Sequence, residues 1–302
     1  MLDQRDAPHG VFENSAANCR HIEVRPLASS MGAEIRNLDV NDLSDEAFQE
    51  LRGALFRHRM IYLRGQRLDH DQQAAFTRRF GEFGADSFAS DTDAHPHVLP
   101  VIKEAEARAP LVFGGGWHTD SPFLPRPPAI TILRSIETPP LGGDTIWADT
   151  ALAFRALSPT MQAMLEPLRV RMSAEKAAAL VALVKASGAP LPGYGADAVR
   201  DKAFARTPHP LVRTHPETGE KALYIDESYA VDIEGLTASE SRPLIDFLVA
   251  HITQHAFTCR LRWEPDMLVL WDNRLCLHLA MNDYDGHRRE MYRTTVMGEV
   301  PS

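Results

Sequence analysis

The stretch Asp266-Met267-Leu268-Val269-Leu270-Trp271-Asp272-Asn273-Arg274-Leu275-Cys276-Leu277-His278, answered by Arg289-Glu290-Met291-Tyr292-Arg293-Thr294-Thr295-Val296, decides the fold class, because both segments read as strand. Asp266 to Trp271 is an apolar, β-rich run, and Asp272-Asn273 punctuates it. Residues two apart share one face of a strand, so Arg274, Cys276 and His278 point one way. Asp285-Gly286 is a hairpin signal, and the return segment holds enough aromatic and β-branched residues to pair as a strand. On it, Arg289, Met291 and Arg293 share a face that can lie against the face of His278. The expectation is a hairpin that sets two arginines opposite a histidine. The planar guanidinium grips carboxylates and sulfonates with parallel donors.

Upstream, Gly114-Gly115-Gly116 leads into Trp117-His118-Thr119-Asp120. If this segment is a strand, His118 and Asp120 project together and Thr119 points away. With His278 they make two imidazoles and one carboxylate, the facial triad of non-heme Fe(II) oxygenases, which leaves coordination positions open. A His-x-Asp triplet has little specificity alone, since the chain has 13 histidines. His215-Pro216-Glu217 is a decoy of similar form, where proline removes a ladder donor and Thr218-Gly219 marks a turn. Pro139-Pro140-Leu141-Gly142-Gly143-Asp144-Thr145-Ile146-Trp147 reads as a turn opening a short strand, with the Thr145 hydroxyl at its start. Trp117, Trp147 and Trp271 read as core or pocket wall, and His209 and His215 as loop structure.

Taken in order, Trp117-His118-Thr119-Asp120, Gly142-Gly143-Asp144-Thr145-x-Trp147, Thr214 to Gly219, Trp271-Asp272-Asn273-Arg274, His278, Arg289 and Arg293 resemble the taurine dioxygenase / 2,4-dichlorophenoxyacetate dioxygenase family. The resemblance runs from about Ile22 to Met297. It implies a distorted double-stranded β-helix (a cupin-like jelly roll) and a dioxygenase that uses Fe(II), 2-oxoglutarate and O2. By the same resemblance, His118, Asp120 and His278 hold iron, Thr145 and Arg289 bind the distal carboxylate of 2-oxoglutarate, and Arg293 meets an anionic substrate headgroup. The product pair is succinate and CO2, with hydroxylation of a small carboxylate, sulfonate or sulfate ester. Arg79-Phe80-Gly81-Glu82 departs from the taurine enzyme, because no histidine follows it before His95, which puts taurine itself in doubt. Leu133-Arg134 and Trp147-Ala148-Asp149 lean towards the alkylsulfatase branch. Two other classes are compatible with the residues: a zinc-dependent hydrolase on the same triad, and a non-catalytic jelly-roll binding protein. Dependence on 2-oxoglutarate with succinate release separates all three.

Composition frames this reading. The chain has 302 residues, 44% of them hydrophobic, enough for a sizeable core, and a formal charge of -9 that argues against nucleic acid or an anionic membrane as partner. An anionic substrate must therefore be drawn in by local arginines. Three cysteines without paired spacing fit a reducing compartment, and neither a signal peptide nor a membrane span is visible, so a cytoplasmic protein is expected. The family implies a homo-oligomer, a dimer or a tetramer.

Strands at both ends with helices between predict a mainly β fold with helical insertions, one domain over 1–302. Ser44 caps a helix carrying Phe48, Leu51 and Leu55, and Met60 to Leu63 follows as a buried strand. Further helices are expected from Asp71 to Phe80, after Ser158-Pro159 with Met161, Met164 and Leu165 on one side, and after Thr237 with its Glu240 capping partner ahead of Leu244, Phe247, Leu248 and Ile252. Residues 1–20 read as a loose tail. The segment around 188–210, rich in proline and glycine near Tyr194, reads as a lid over a substrate whose apolar part Phe88, Phe123 and Tyr194 line.

Overall fold

The computed structural model describes residues 12–16, 18–84, 95–107, 114–186 and 204–302. Phe88, Tyr194 and most of the expected lid lie outside them. The elements in chain order are β1 (Glu23–Pro26), β2 (Ala33–Arg36), α1 (Asp45–His58), β3 (Met60–Leu63), α2 (His70–Arg78), β4 (Leu99–Lys103), β5 (Pro128–Glu137) and β6 (Thr145–Asp149). There follow α3 (Thr150–Ala156), α4 (Pro159–Leu165), β7 (Arg169–Met172), α5 (Glu175–Ala186), β8 (Thr207–Pro210), β9 (Val212–Thr214), β10 (Lys221–Leu223) and β11 (Ala230–Ile233). The chain ends with α6 (Ala238–Ile252), β12 (Thr258–Leu261), β13 (Leu268–Asp272), β14 (Cys276–Ala280) and β15 (Arg289–Met297).

Seven strands form the major sheet in the order β1-β2-β3-β13-β5-β15-β4, and β12-β6-β14 form the facing minor sheet. This is the expected jelly roll with helical insertions. Alternation assigns the faces. Leu268 and Leu270 of β13, with Ile130 and Ile132 of β5, pack outward against α1 and α2 through Leu51, Leu55 and Phe76. Val269, Trp271, Leu133 and Met291 turn inward and meet Trp147, Cys259, Leu261 and Cys276 of the minor sheet. Each fully buried Leu, Met or Phe contributes about 1.5–3 kcal/mol of apolar transfer. A strand buried on both faces loses its polar alternation, which is why β13 reads as a continuous apolar run. A third apolar cluster joins α3 and α6 to β7, β9 and β11 beside the roll.

The expected C-terminal hairpin does not form. β13 pairs with β3 and β5, β14 pairs with β6, and β15 returns to β5 and β4. Both connections therefore switch sheets, and β14 faces β15 across the interior instead of pairing with it. The alternation still holds: Arg289, Met291 and Arg293 line the inner face. Arg274 falls in the turn before β14 and folds back on Asp272, off the face of His278.

Helix signals fare well at their N-termini. The Ser44 side chain caps α1, Ser158 caps α4 with proline in its first turn, and Glu240 accepts the Thr237 N–H at 2.8 Å. Their apolar faces are narrower than expected, since Met164 and Phe247 are exposed while Leu165, Ile245, Leu248 and Ile252 are buried. Most of the expected tail, residues 1–11 and 17, lies outside the described residues; within the rest, the Asn14 amide donates to the carbonyls of Ala28 and Gly32. The far end of the expected lid is strand: β8 pairs with β7 and buries His209.

Candidate metal centre and its surroundings

His118 and Asp120 do not stand on a sheet strand. Only an isolated bridge links His118 to His278, each donating its N–H to the other's carbonyl at 3.0 and 2.8 Å. The rest of the segment is held by side chains. Thr119 N–H reaches Asp226 at 3.3 Å, Thr119 Oγ1 donates to the Asn273 carbonyl at 2.9 Å, and Ser228 Oγ donates to the Trp117 carbonyl at 3.2 Å. Thr119 thus points away from its neighbours as alternation requires, although no ladder enforces it.

This scaffold brings together ligand atoms of His118, Asp120 and His278 within 4.8 Å of one another. The Nε2 atoms of His118 and His278 lie 4.0 and 3.8 Å from Asp120 Oδ1. His118 Nδ1 donates to the Gly116 carbonyl at 2.8 Å, which leaves the Nε2 lone pair facing the cluster. The His278 ring packs on Trp271, with ring centroids 4.8 Å apart. Burial pushes both imidazoles below their ordinary range, His278 to about 3, so both are neutral donors. Burial alone would raise the Asp120 carboxyl, but the Arg293 guanidinium, with the Thr131 hydroxyl, outweighs it and brings it down to about 2. Two neutral imidazoles and one ionised carboxylate are the protonation states that a metal ion requires. The donor set fits a divalent iron ion.

Thr145 and Arg289 meet through a residue that the sequence reading missed. Trp263 Nε1 donates to Thr145 Oγ1 at 3.0 Å, and the Arg289 guanidinium lies 5.6 Å from the centre of the same indole. Arg289 is only 6% exposed, its Nε has no hydrogen-bond partner, and it has no carboxylate partner among the described residues. Burial holds its pKa below the ordinary value, yet arginine keeps its proton. Such a cation is an unmet demand for an anion.

The turns that present these two residues dock on each other. Gly142 and Gly143 have φ of +75° and +69°, and a Cβ on Gly142 would stand 2.5 Å from the Asp283 carbonyl oxygen. Gly143 N–H donates to Asp283 Oδ1 at 2.8 Å. The Gly-Gly pair therefore permits a close approach between the loop that opens β6 and the loop that leads to β15.

Arg293 reaches the cluster itself, with Nη1 3.2 Å from Asp120 Oδ1. The decoy His215 sits elsewhere, its Nε2 on Asp272 Oδ2 at 3.0 Å, in a buried network with Arg274. Phe123 is fully buried and packs on Tyr229, so it belongs to the core beside the roll. Thr131, Asn273 and Trp263 are the site residues that the sequence reading left without a role. The Trp271-Asp272-Asn273-Arg274 motif was the available signal for Asn273.

The model of the taurine catabolism dioxygenase TauD, TfdA family matches residues 23–295. The chain belongs to this family. The TauD/TfdA chain is 33% identical over 289 residues to the alpha-ketoglutarate-dependent sulfate ester dioxygenase of Pseudomonas putida, covering 95% of this chain and 93% of that one. It is 30% identical over 289 residues to an alkylsulfatase of Acinetobacter baylyi, covering 93% and 86%. A taurine dioxygenase of Burkholderia xenovorans has a crystal structure that matches with a TM-score of 0.76 at 35% identity, over 93% of each chain. This TauD/TfdA protein is an oxidoreductase that depends on Fe(II), 2-oxoglutarate and O2 and acts on small organic anions. No helix among the described residues is long and apolar enough to cross a membrane.

Proposed function

We propose that His118, Asp120 and His278 ligate the iron, that Arg289 and Thr145 hold the distal carboxylate of 2-oxoglutarate, and that Arg293 receives the substrate anion. The observation that carries the reading is the pairing of a neutral-imidazole and carboxylate cluster with a buried guanidinium on the facing strand that has no carboxylate partner among the described residues. When bound, iron supplies the oxidative decarboxylation of 2-oxoglutarate to succinate and CO2 and the coupled oxidation of substrate.

The residues of the chain bind and orient. Arg289 offers a charged fork, Thr145 a hydroxyl, and Trp263 keeps the two in register. The enclosing strands keep water from the reacting groups. Arg293 shares the charge of Asp120 in this structure. With iron held by His118, Asp120 and His278, the Asp120 charge would be shared with the metal, and the Arg293 guanidinium beside it would present N–H donors towards a substrate headgroup. The substrate class we infer is a small sulfate ester or sulfonate, as the relatives' names suggest. Hydroxylation at the carbon that bears a sulfate ester gives an unstable product that collapses to aldehyde and sulfate. One catalytic unit over the chain, assembled as a homo-oligomer in the cytoplasm, completes the proposal.

Succinate release from 2-oxoglutarate, with Fe(II) and ascorbate, tests it across alkyl sulfates, alkylsulfonates, taurine and phenoxyalkanoates. Alkyl sulfates or sulfonates should stimulate strongly and release sulfate or sulfite. Stimulation by phenoxyalkanoates alone would overturn the substrate class, and Asp120→Ala with wild-type turnover would overturn the triad.

A further inference from the structure

A chain of hydrogen bonds with a fixed direction ends on Asp120. It starts at the indole N–H of Trp271, a group that can only donate, which meets Asn273 Oδ1 at 2.9 Å. That contact fixes which way the amide faces, and the Asp120 N–H, 3.4 Å from the same oxygen, agrees with it. Asn273 Nδ2 must then face Thr131 Oγ1, which it meets at 2.8 Å. With a lone pair taken by Asn273, the Thr131 hydroxyl directs its own hydrogen to Asp120 Oδ2. Thr131 and Asn273 are 0% and 3% exposed, so water does not compete. The remaining oxygen, Oδ1, is the one that faces both Nε2 atoms and Arg293.

We infer that Thr131, oriented by Asn273 and Trp271, is a positioning residue that keeps Asp120 a one-oxygen ligand. The inference rests on the metal-centre assignment above. Six positions surround the ion, and two imidazoles with one carboxylate oxygen leave three open. A carboxylate bound through both oxygens would leave two. Since 2-oxoglutarate takes two through its keto acid, no position would remain for O2. The Thr131 hydroxyl donates to one lone pair of Oδ2 and so holds that oxygen turned towards Thr131, away from the side that Oδ1 presents to the imidazoles.

The test uses Co(II) as a spectroscopic probe of coordination, with calorimetric titration of 2-oxoglutarate into the Co(II) protein. Thr131→Val keeps the side-chain shape and removes the hydroxyl. It should change the visible Co(II) absorption and weaken 2-oxoglutarate binding about tenfold or more, and Thr131→Ser should restore both. A folded Thr131→Val with the wild-type spectrum and affinity would overturn the inference. So would an affinity loss without spectral change, or one that serine does not restore. If Thr131→Val does not fold, Trp271→Phe decides, since it removes the donor that orients the amide: a changed Co(II) spectrum with weakened 2-oxoglutarate binding supports the relay, and a wild-type spectrum and affinity overturn it. Wild-type protein that takes up neither Co(II) nor 2-oxoglutarate would instead sink the metal-centre reading, and this inference with it.

Discussion

Two buried arginines near the centre of this molecule have opposite energetics. Arg274 is paired: its Nε and Nη2 meet the two oxygens of Asp272 at 2.8 and 2.7 Å, and His215 sits on the same carboxylate. Removing one partner of a buried pair strands the other, at a cost of about 3–5 kcal/mol. Arg274→Met should therefore lower stability by that order. Among the described residues Arg289 has no carboxylate partner, so Arg289→Met removes a desolvated charge and should raise the melting temperature of the ligand-free protein. It should also weaken 2-oxoglutarate binding by about tenfold to a hundredfold, the loss of one charged hydrogen bond of roughly 1.5–3 kcal/mol. Melting curves of both variants and a 2-oxoglutarate titration check this. A destabilised Arg289→Met with unchanged affinity would make Arg289 a structural residue. Both arginines are visible in the sequence, but only their partners distinguish them. The triad could be read because few residue types ligate iron. Thr131 and Asn273 could not, because their role lies in hydrogen-bond direction between positions 142 apart.

Elements explain why the predicted hairpin failed while the faces of β14 and β15 were right, with Arg274 falling outside β14. Alternation in β14 and β15 fixes which side chains look inward, and it says nothing about which sheet each strand joins. The turns decide that, and their docking is a matter of space. At Gly142, an alanine Cβ would collide with the Asp283 carbonyl oxygen at 2.5 Å in addition to adopting a φ of +75°. At Gly219, φ is +71° but nothing lies within 4 Å. The left-handed backbone alone costs about 1–2 kcal/mol for a non-glycine residue. Gly219→Ala should lose about that much stability with 2-oxoglutarate affinity intact. Gly142→Ala should lose more, and should also weaken 2-oxoglutarate binding, because Thr145 and Arg289 hang from the two displaced turns. Equal destabilisation with equal affinities would show that the close approach has no bearing on the site. The glycine pair was legible as a turn in the sequence; the loop it receives, about 140 positions away, was not.

At the scale of the whole molecule, buried histidines set the response to acid. Burial pushes His58 and His209 to about 4 from the ordinary 6.5, and His118 and His278 are held low in the same way. Between those values the unfolded chain takes up protons that the native protein refuses. Stability of the metal-free protein should then fall as pH drops below about 6.5, and His278 and the Asp120 carboxylate carry the decline below pH 4. Asp226 opposes this trend. Burial raises its carboxyl from 3.8 to about 7, despite the N–H groups of Tyr229 and Thr119. Between those two values the native protein binds the proton more readily, so this group favours folding as pH falls. The histidines outnumber it, and the net slope should follow them. Urea unfolding at pH 7, 6 and 5 measures the slope directly, in the absence of metal so that ligand loss does not enter. His209→Gln should make the decline shallower, because one proton uptake by the unfolded state disappears. Asp226→Asn should make it steeper, because the opposing group is gone. Stability that is flat or rises from pH 7 to pH 5 in the wild type would mean that these imidazoles are protonated in the native protein. Neutral donors would then not be preformed at His118 and His278, and the metal would have to displace protons as it enters.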